Sequence, residues 1–409
     1  MARHRASYGL GSSKCGSTIG ELFQMQKPLV SFVVPCYRLA AFLPECVDSI
    51  LSQTFEDFEI LIMDDCSPDN TEEVARTFTD SRVTYVRNEQ NLGALRNYNK
   101  GILLSRGKYV WLISADDRLR RPYILQRYVE TLENHPEVGL AFCPGVSLRR
   151  GKEGAVIDYS TYGDVDTIVR GEEIIKHSLK VKGNAILAAS VLVRRDCYEK
   201  LSLYPVDVVW AGIPVDFIWG GDWYMWLLFS LHYHVAYFAE PMVCYREHEL
   251  SMTNAITQEK IDICWHSELA VITMISQAAK EKGALTVYKA CLGALANFYA
   301  KHCASKPYSW MGQTSWSTID LQQVEATLDR SPYTEQEKAW IRSRIMVALA
   351  EIYYSEGDSV SARSYYLKGL KLKPFMLPVF LKLIVLSFGG PGRQVRELLR
   401  TAREHLVRG

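Results

Sequence analysis

The chain has 409 residues, of which 48% are hydrophobic, so it is long enough for two or three domains and apolar enough for sizeable cores. Its 47 basic and 46 acidic residues nearly cancel, which leaves no excess of positive charge of the kind that binds nucleic acid. The ten cysteines fall into no paired metal-ligand spacing, so we expect free thiols rather than a zinc site or a disulfide framework.

The amino-terminal residues 1–27 are basic and rich in serine and glycine, and they lack the apolar core of a secretory signal. We interpret them as a disordered extension. The chain also lacks a run of about 18 apolar residues, so we expect no transmembrane helix and a cytoplasmic location.

Strand and helix patterns alternate at short intervals after this extension. Short apolar runs predict strands, and the amphipathic segments between them predict helices. The predicted strands are 29–34, 58–63, 83–86 and 109–113, and the predicted helices are 43–52, 70–78 and 94–105. Such alternation favours βαβ units, in which right-handed crossovers build a mainly parallel sheet.

Pairs of acids follow two of these strands, namely Asp64–Asp65 and Asp116–Asp117. Open α/β sheets bind ligands at the carboxyl ends of their strands, and adjacent like charges favour a cation such as Mg²⁺ or Mn²⁺ held with substrate phosphates. The alternative is that the aspartates cap helices. Between the two pairs, Gly93 permits a tight turn, and Arg96 faces either phosphates or solvent.

The middle of the chain has a mixed pattern that ends in an aromatic segment, 210–237. The prediction there is a helix at 123–134, a strand at 138–143, a hairpin or loop at 147–166, a strand at 185–193 and a helix at 197–201. The aromatic segment contains a lone acid, Asp222. Burial would raise its pKa toward a value useful for a general base, while a cap on the helix predicted at 223–231 is the alternative; the two roles are compatible.

Helical patterns fill the region 256–409, with a linker or irregular connection at 305–317. Small, aromatic and proline positions match one tetratricopeptide hairpin at about 343–376. A lone repeat either packs on its own domain or offers a groove to a protein partner. The apolar segment 375–388, flanked by basic residues, is either core of a helical bundle or an interfacial membrane helix.

The residues from Pro28 to Ser251 together resemble the family 2 inverting glycosyltransferases, which have the GT-A fold. The resemblance is carried by several blocks in the order in which that family has them. The blocks are Val30–Tyr37, Ser49–Phe55, Glu59–Ser67, Asn91–Gly93, Gly107–Asp117 and Tyr245–His248. It implies a Rossmann-like, mainly parallel GT-A domain at 28–255, followed by an all-α domain at 256–409.

The resemblance implies a nucleotide-sugar site at the matching positions. Pro35 and Tyr37 would line the pocket for the nucleotide base. Asp65, with Asp64 beside it, would receive the base or the ribose. Asp116 would contact the ribose or assist the metal.

The same resemblance implies the catalytic groups. Asp117 would bind a divalent metal, Mn²⁺ or Mg²⁺, and His248 would be a further metal ligand or a contact for the diphosphate. Asp222 would be the catalytic base, and Arg96 a cation that stabilises the leaving diphosphate. Two departures are that Gly221 stands where the family often has glutamate and Ser114 where its metal motif often begins with aspartate.

The implied activity is metal-dependent, inverting transfer of a sugar from a nucleotide-sugar to a glycan or lipid-linked acceptor. By the habit of the family, the donor would be a UDP-sugar and the role bacterial surface polysaccharide biosynthesis, with the enzyme in the cytoplasm or peripheral to the inner face of the plasma membrane. One alternative is a non-catalytic scaffold whose helices bind partners; the presence of Asp65, Asp117 and Asp222 argues against it. Another is a nucleotidyltransferase, which would need a glycine-rich, lysine-containing loop that this chain lacks.

Overall fold

The structure is a computed structural model that describes residues 27–181, 184–249, 251, 258–304, 307–310, 313–316, 320–373, 378–379 and 381–383. The extension predicted for residues 1–27 lies outside these ranges apart from Lys27, and so does most of the apolar segment 375–388. Among the helices described, none combines the length and the apolar character that crossing a membrane requires.

Strands occur mainly before residue 250. In chain order they are β1 (Val30–Cys36), β2 (Phe58–Asp64), β3 (Val83–Arg87), β4 (Tyr109–Leu112), β5 (Arg118–Leu119), β6 (Val138–Phe142), β7 (Gly145–Arg149), β8 (Lys152–Val156), β9 (Thr167–Val169), β10 (Leu192–Arg194), β11 (Val208–Trp210), β12 (Ile213–Val215), β13 (His234–Tyr237), β14 (Val243–Arg246), β15 (Pro307–Trp310) and β16 (Gln313–Trp316).

Helices flank the strands and dominate after residue 257. They are α1 (Leu43–Leu51), α2 (Thr71–Ala75), α3 (Ala94–Leu104), α4 (Ile124–Asn134), α5 (Gly171–Val181), α6 (Arg195–Lys200), α7 (Gly221–His232), α8 (Gln258–Lys282), α9 (Leu285–Cys303), α10 (Leu321–Arg330), α11 (Glu335–Ser355) and α12 (Ser359–Leu372).

The central sheet of the described residues has the strand order β3-β2-β1-β4-β10-β6-β13-β9. Its first four strands are parallel, with Cys36 of β1 opposite Asp64 of β2 and Val33 of β1 opposite Leu112 of β4. The antiparallel strand β10 lies between β4 and β6, and β13 pairs parallel with β6. The predicted mainly parallel sheet is therefore confirmed, and the carboxyl ends of β1, β2 and β4 meet at one edge.

A second sheet has the strand order β5-β14-β7-β8. Strand β5 follows the Asp116–Asp117 pair directly, and β14 pairs antiparallel with β5 and parallel with β7. This arrangement brings the end of β14 back to the turn that carries the two acids.

The core of the parallel half contains a stack of aromatic rings. Trp111 on β4 lies between Phe32, at 5.4 Å between ring centroids, and Tyr128, at 5.2 Å. All three side chains are fully buried, so the stack fixes β1, β4 and α4 against one another.

The strand predicted at 185–193 is only partly correct. Residues Ala188–Ser190 form a 3-10 turn, and the strand β10 is limited to three residues. The backbone of the turn is engaged elsewhere, because the indole of Trp111 donates to the carbonyl of Ala189 at 2.9 Å and Ser190 Oγ donates to the carbonyl of Leu187 at 2.8 Å. Sequence analysis also missed α5, which packs on α7 and α9.

The helical character predicted after residue 256 is confirmed, with one addition. The strands β15 and β16 pair antiparallel where the sequence predicts an irregular connection. The helices share a hydrophobic core with the sheet-bearing part, since Trp210, Phe217 and Trp223 pack with residues such as Leu295 and Ile341. The helical region is thus packed on α7 and its neighbours.

The helices α11 and α12 form the hairpin that the repeat pattern predicts near 343–376. They pack antiparallel, with the ring of Tyr353 stacked on that of Tyr365 at 5.5 Å and Tyr366 fully buried. Helix α11 begins at Glu335, eight residues before the predicted start, behind a capping box at Thr334. A tetratricopeptide-like role for this hairpin stays a prediction.

Close packing of α3 on the sheet gives a stability prediction. A Cβ added at Gly101 would lie 2.4 Å from Val33 Cγ1, whereas one added at Gly293, also inside a helix, meets nothing within 4 Å. We expect Gly101→Ala to lower the free energy of unfolding by about 1–3 kcal/mol through overpacking, and Gly293→Ala to raise it by up to about 1 kcal/mol. Denaturant titration followed by circular dichroism compares them; equal stability of the two variants would contradict this packing.

Candidate functional site

The candidate site lies at the sheet edge where β1, β2 and β4 end. The backbone continues the strand pairing beyond the strands, with Asp65 N donating to the Cys36 carbonyl at 2.9 Å and Ala115 N donating to the Pro35 carbonyl at 3.1 Å. Both acid pairs are therefore brought to one edge, as the parallel sheet predicts. Burial raises the pKa of Tyr98, and the charges of Asp222, Asp116 and Asp117 raise it further, so this phenol lies within electrostatic reach of all three acids.

Asp64 is enclosed by protein donors. Its side chain is fully buried and accepts hydrogen bonds from Ser67 N at 2.8 Å, from the Tyr85 hydroxyl at 2.6 Å and from Arg87 Nη1 at 2.6 Å. A buried carboxylate needs such compensation to stay ionised. The geometry therefore favours a structural role for Asp64 over contact with a nucleotide.

Asp65 holds the loop that precedes α3. Its Oδ1 accepts from Asn88 Nδ2 and from Leu92 N, both at 2.8 Å, and its Oδ2 accepts from Gly93 N at 2.9 Å. Gly93 has φ +80°, a backbone conformation that glycine adopts without strain. Since a carboxylate offers about four lone-pair positions, Asp65 keeps about one for a ligand.

The end of β1 combines a buried proline with an exposed aromatic ring. Pro35 is buried inside the strand, while Tyr37 is 44% exposed beside the loop that follows β2. The two loops are joined where Arg38 N donates to Ser67 Oγ at 3.1 Å. Tyr37 is thus available for stacking on a planar group, whereas Pro35 is part of the buried strand.

The Asp116–Asp117 turn is held by a buried arginine from β14. Arg246 N donates to Asp117 Oδ1 at 2.9 Å, and Arg246 Nε donates to the Asp116 carbonyl at 2.6 Å. The same guanidinium pairs with Glu45 and lies 4.9 Å above the ring of Phe42. Arg246 therefore anchors the turn to α1 and to the second sheet.

The two acids differ in their surroundings. Burial raises the pKa of Asp117 well above its usual range, and the neighbouring charge of Asp116 raises it further. Asp116 Oδ2 lies 2.9 Å from His248 Nε2, and the imidazole packs on Phe42 at 4.5 Å between ring centroids. The predicted residues Asp116, Asp117 and His248 are thus brought together.

This donor set fits Mn²⁺ or Mg²⁺. Within the described residues, Asp117 Oδ2 has no protein donor, and carboxylate oxygens with an imidazole nearby are ligands that Mn²⁺ accepts. No group of three or more His, Cys, Asp or Glu side chains in the described part of the chain is arranged to hold a metal ion. A metal here would therefore need water and substrate phosphates to complete its coordination.

Asp222 lies in the first turn of α7 and is partly buried. Burial raises the pKa of its carboxyl to about 6, and a hydrogen bond from the Tyr204 hydroxyl, at 2.8 Å to Asp222 Oδ1, opposes that rise. A carboxylate that is half-protonated near this pH is suited to accept a proton under physiological conditions.

The tryptophans near Asp222 divide between core and surface. Trp223 and Trp226 are 5% and 1% exposed and belong to the core, so they do not present rings to a sugar. Trp219 keeps partial exposure.

Arg96 pairs with Asp207, and both side chains are largely exposed. Such a surface pair contributes little energy, so Asp207 holds Arg96 only weakly.

Sequence analysis missed two residues of the site. Arg246 lies inside the block Tyr245–His248, but the family resemblance implies a role only for His248, and a lone arginine on a strand does not indicate its partners. Tyr204 reaches Asp222 from outside the helix, and no periodicity in the sequence predicts that contact.

Comparison with known proteins gives the family. A model of glycosyl transferase family 2 matches residues 31–176. An uncharacterized protein of Mycobacterium tuberculosis is 37% identical over 236 residues, which are 55% of this chain and 67% of that protein. The glycosyltransferase GlyG of Streptococcus pneumoniae is 36% identical over 112 residues, which are 27% of this chain and 37% of GlyG, so the chain matches well under half of that relative.

Solved structures show the same architecture. Residues 1–349 of S. aureus TarS, crystallised in complex with UDP-GlcNAc, match with a TM-score of 0.53 and 15% identity, over 82% of this chain and 90% of that chain. At this identity the likeness shows the fold alone. The chain belongs to glycosyl transferase family 2, and its sheet-bearing part is a glycosyltransferase domain of the GT-A fold.

The raised pKa of Asp222 gives a second stability prediction. Its folded-state pKa of about 6 exceeds the ordinary value of 3.8, so between these values the native chain binds more protons and loses stability as the pH rises. Asp222→Asn removes this titration while keeping an acceptor for Tyr204. We expect a variant at least as stable as the wild type, with an advantage that grows from about pH 4 to about pH 6 and is then constant. Thermal unfolding across this range tests it, and a less stable variant at neutral pH would contradict it.

Proposed function

We propose that the chain is a metal-dependent, inverting glycosyltransferase that moves a sugar from a nucleotide-sugar to a hydroxyl acceptor. The observation that carries this proposal is that two kinds of acid lie within electrostatic reach of one phenol, Tyr98. The Asp116–Asp117 turn has lone pairs suited to a cation, and Asp222 has a pKa suited to a base. Family membership supports the same chemistry.

The donor would lie along the ends of β1 and β2. Tyr37 and Pro35 would receive the nucleotide base, Asp65 would use its remaining lone pair on a base N–H, and Asp116 would contact the ribose. A UDP-sugar is the donor class we propose, since the fold neighbour TarS binds UDP-GlcNAc. We assign Asp64 to shaping the loop, because its side chain is fully buried and both of its oxygens accept from protein donors.

Asp117 and His248 would hold Mn²⁺ or Mg²⁺, with Arg96 as a mobile cation near the diphosphate. A bound metal would neutralise the charge that develops on the departing nucleoside diphosphate. Asp222 would accept the proton of the acceptor hydroxyl while that oxygen attacks the anomeric carbon from the face opposite the leaving group, so the configuration inverts.

The acceptor we propose is a glycan or a lipid-linked sugar in surface polysaccharide assembly. Such an acceptor would place the enzyme in the cytoplasm, at the inner face of the plasma membrane. We place the boundary between the GT-A domain, 28–255, and the helical domain, 256–409, where the helical patterns begin. The α11–α12 hairpin would be available to a protein partner. In the segment 375–388, the described residues Val379 and Leu383 are buried against that hairpin, which favours a core role for the segment over membrane contact.

The test of the function is release of nucleoside diphosphate from a panel of UDP-, GDP- and dTDP-sugars with Mn²⁺ present. Asp222→Asn should reduce turnover of the best donor by about 10²- to 10⁴-fold, the contribution of a general base. The wild-type kcat/KM should fall about tenfold per pH unit below about pH 6, as Asp222 becomes protonated. Wild-type inactivity across the panel, with no nucleotide binding by calorimetry, would favour the scaffold alternative, and full activity of Asp222→Asn would remove the base assignment alone.

The metal assignment makes a separate prediction. Asp117→Asn keeps an oxygen for Arg246 N but loses the negative charge, so it should abolish the stimulation of turnover by Mn²⁺. Glu153→Gln, which alters an exposed ion pair with Arg118 and Arg120 on the second sheet, is the matched control and should respond to Mn²⁺ as the wild type does. An unchanged Mn²⁺ titration of Asp117→Asn would show that this residue is not the ligand.

A further inference from the structure

We propose that Asn99 and Tyr204 are positioning residues that orient the Asp222 carboxylate for proton transfer. The inference rests on the proposed function, since it concerns how the base is held. Neither residue belongs to the blocks that resemble the family.

The first step is a two-point attachment of Tyr204 to α3. Asn99 Nδ2 donates to the Tyr204 carbonyl at 2.8 Å, and Tyr204 N donates to Asn99 Oδ1 at 2.9 Å. One side-chain amide thus satisfies both backbone groups of a residue 105 positions away in sequence. Two hydrogen bonds fix both the place and the direction of that backbone.

The second step is confinement of the Tyr204 ring. The ring is only 2% exposed and meets Tyr98 edge to face at 5.6 Å between centroids. On another side it faces Gly221, where an added Cβ would lie 3.3 Å from Tyr204 Cδ1. Gly221, which departs from the family's usual glutamate, therefore lets this ring approach the start of α7.

The third step is the contact with the base. The Tyr204 hydroxyl donates to Asp222 Oδ1 at 2.8 Å, which leaves Oδ2 to take a proton. A hydrogen bond donated to a carboxylate stabilises its charged form, so it keeps the pKa of Asp222 lower than burial alone would set it. Without that bond the carboxyl would be protonated over more of the physiological range and would be free to rotate.

The same helix is held at its amino-terminal end by Asp65, which accepts from Leu92 N and Gly93 N just before α3 begins. Asn99 lies on the second turn of α3. One rigid helix therefore fixes the base relative to the proposed nucleotide pocket, which is the geometric requirement for in-line attack.

The test measures donor hydrolysis against pH, using the nucleotide-sugar of the panel that the wild type hydrolyses fastest. Tyr204→Phe keeps the ring and removes the donor, so the acidic limb of kcat/KM should move up by about one pH unit, the size expected for one lost hydrogen bond to a charged group. Turnover at neutral pH should fall about tenfold, while KM for the donor should stay within about twofold.

Two variants separate positioning from a general loss of structure. Tyr224→Phe, on the same helix as Asp222, removes a hydroxyl that makes no contact with Asp222 in the described structure and should leave the profile unchanged. Asn99→Ala should shift the limb in the same direction as Tyr204→Phe, and in the Tyr204→Phe background it should add little, because both act through one hydroxyl.

The proposal would be overturned if the acidic limb of the kcat/KM profile stayed at the wild-type pH in Tyr204→Phe. It would also be overturned if that limb shifted equally in Tyr224→Phe. Folding of each variant is checked by circular dichroism, and Asn99→Asp, which keeps the acceptor for Tyr204 N, replaces Asn99→Ala if the latter unfolds. Loss of activity in Asp222→Asn with an unmoved limb in Tyr204→Phe would refute this inference alone, whereas an active Asp222→Asn would refute the proposed base.

Discussion

Compensation of carboxylates that are removed from water is the constraint on which this site depends. A carboxylate removed from water needs protein donors or a cation, or it becomes protonated. Asp64 receives three donors, which include the guanidinium of Arg87, and its full burial keeps its remaining lone pair out of reach of a ligand. Asp117 and Asp222 each receive one hydrogen bond from the described residues, and burial raises the pKa of both. With fewer protein donors, Asp117 is suited to bind a cation and Asp222 is suited to accept a proton, whereas Asp64 is suited to a structural role.

The same constraint links distant parts of the chain. Arg246 brings the end of the second sheet to the Asp116–Asp117 turn and reaches Glu45 on α1. Asp65 ties the end of β2 to α3. The carboxyl-terminal helices pack beneath α7 through a shared core that includes Trp223, the neighbour of Asp222. Removal of those helices would therefore expose the apolar support of the proposed base, which gives the helical region a structural part in the site whatever else it binds.

Much of this organisation could be predicted from the sequence. The strands that lead to Asp64 and Asp116 are apolar, and the local sequence pattern shows where each strand ends. Parallel pairing then places both carboxyl ends, with their acids, at one edge of the sheet. The prediction of a strand at 185–193 was only partly correct, because the side chains of Trp111 and Ser190 donate to its backbone carbonyls. The contact of Trp111 depends on tertiary structure, which the local sequence pattern does not show. Tyr204 was missed for the same reason, since its contact with Asp222 depends on how Asn99 of α3 meets a loop 105 residues away. The place of Trp223 and Trp226 in the core likewise depends on tertiary packing.

The most direct test of the central claim is the configuration of the sugar at the moment of its release. Proton NMR of wild-type hydrolysis of an α-linked donor, recorded before mutarotation, resolves the two anomers. Base-assisted attack from the face opposite the diphosphate predicts that the β-anomer appears first. The α-anomer appearing first would mean retention, and would contradict the direct displacement for which Asp222 and the Asp116–Asp117 turn are arranged.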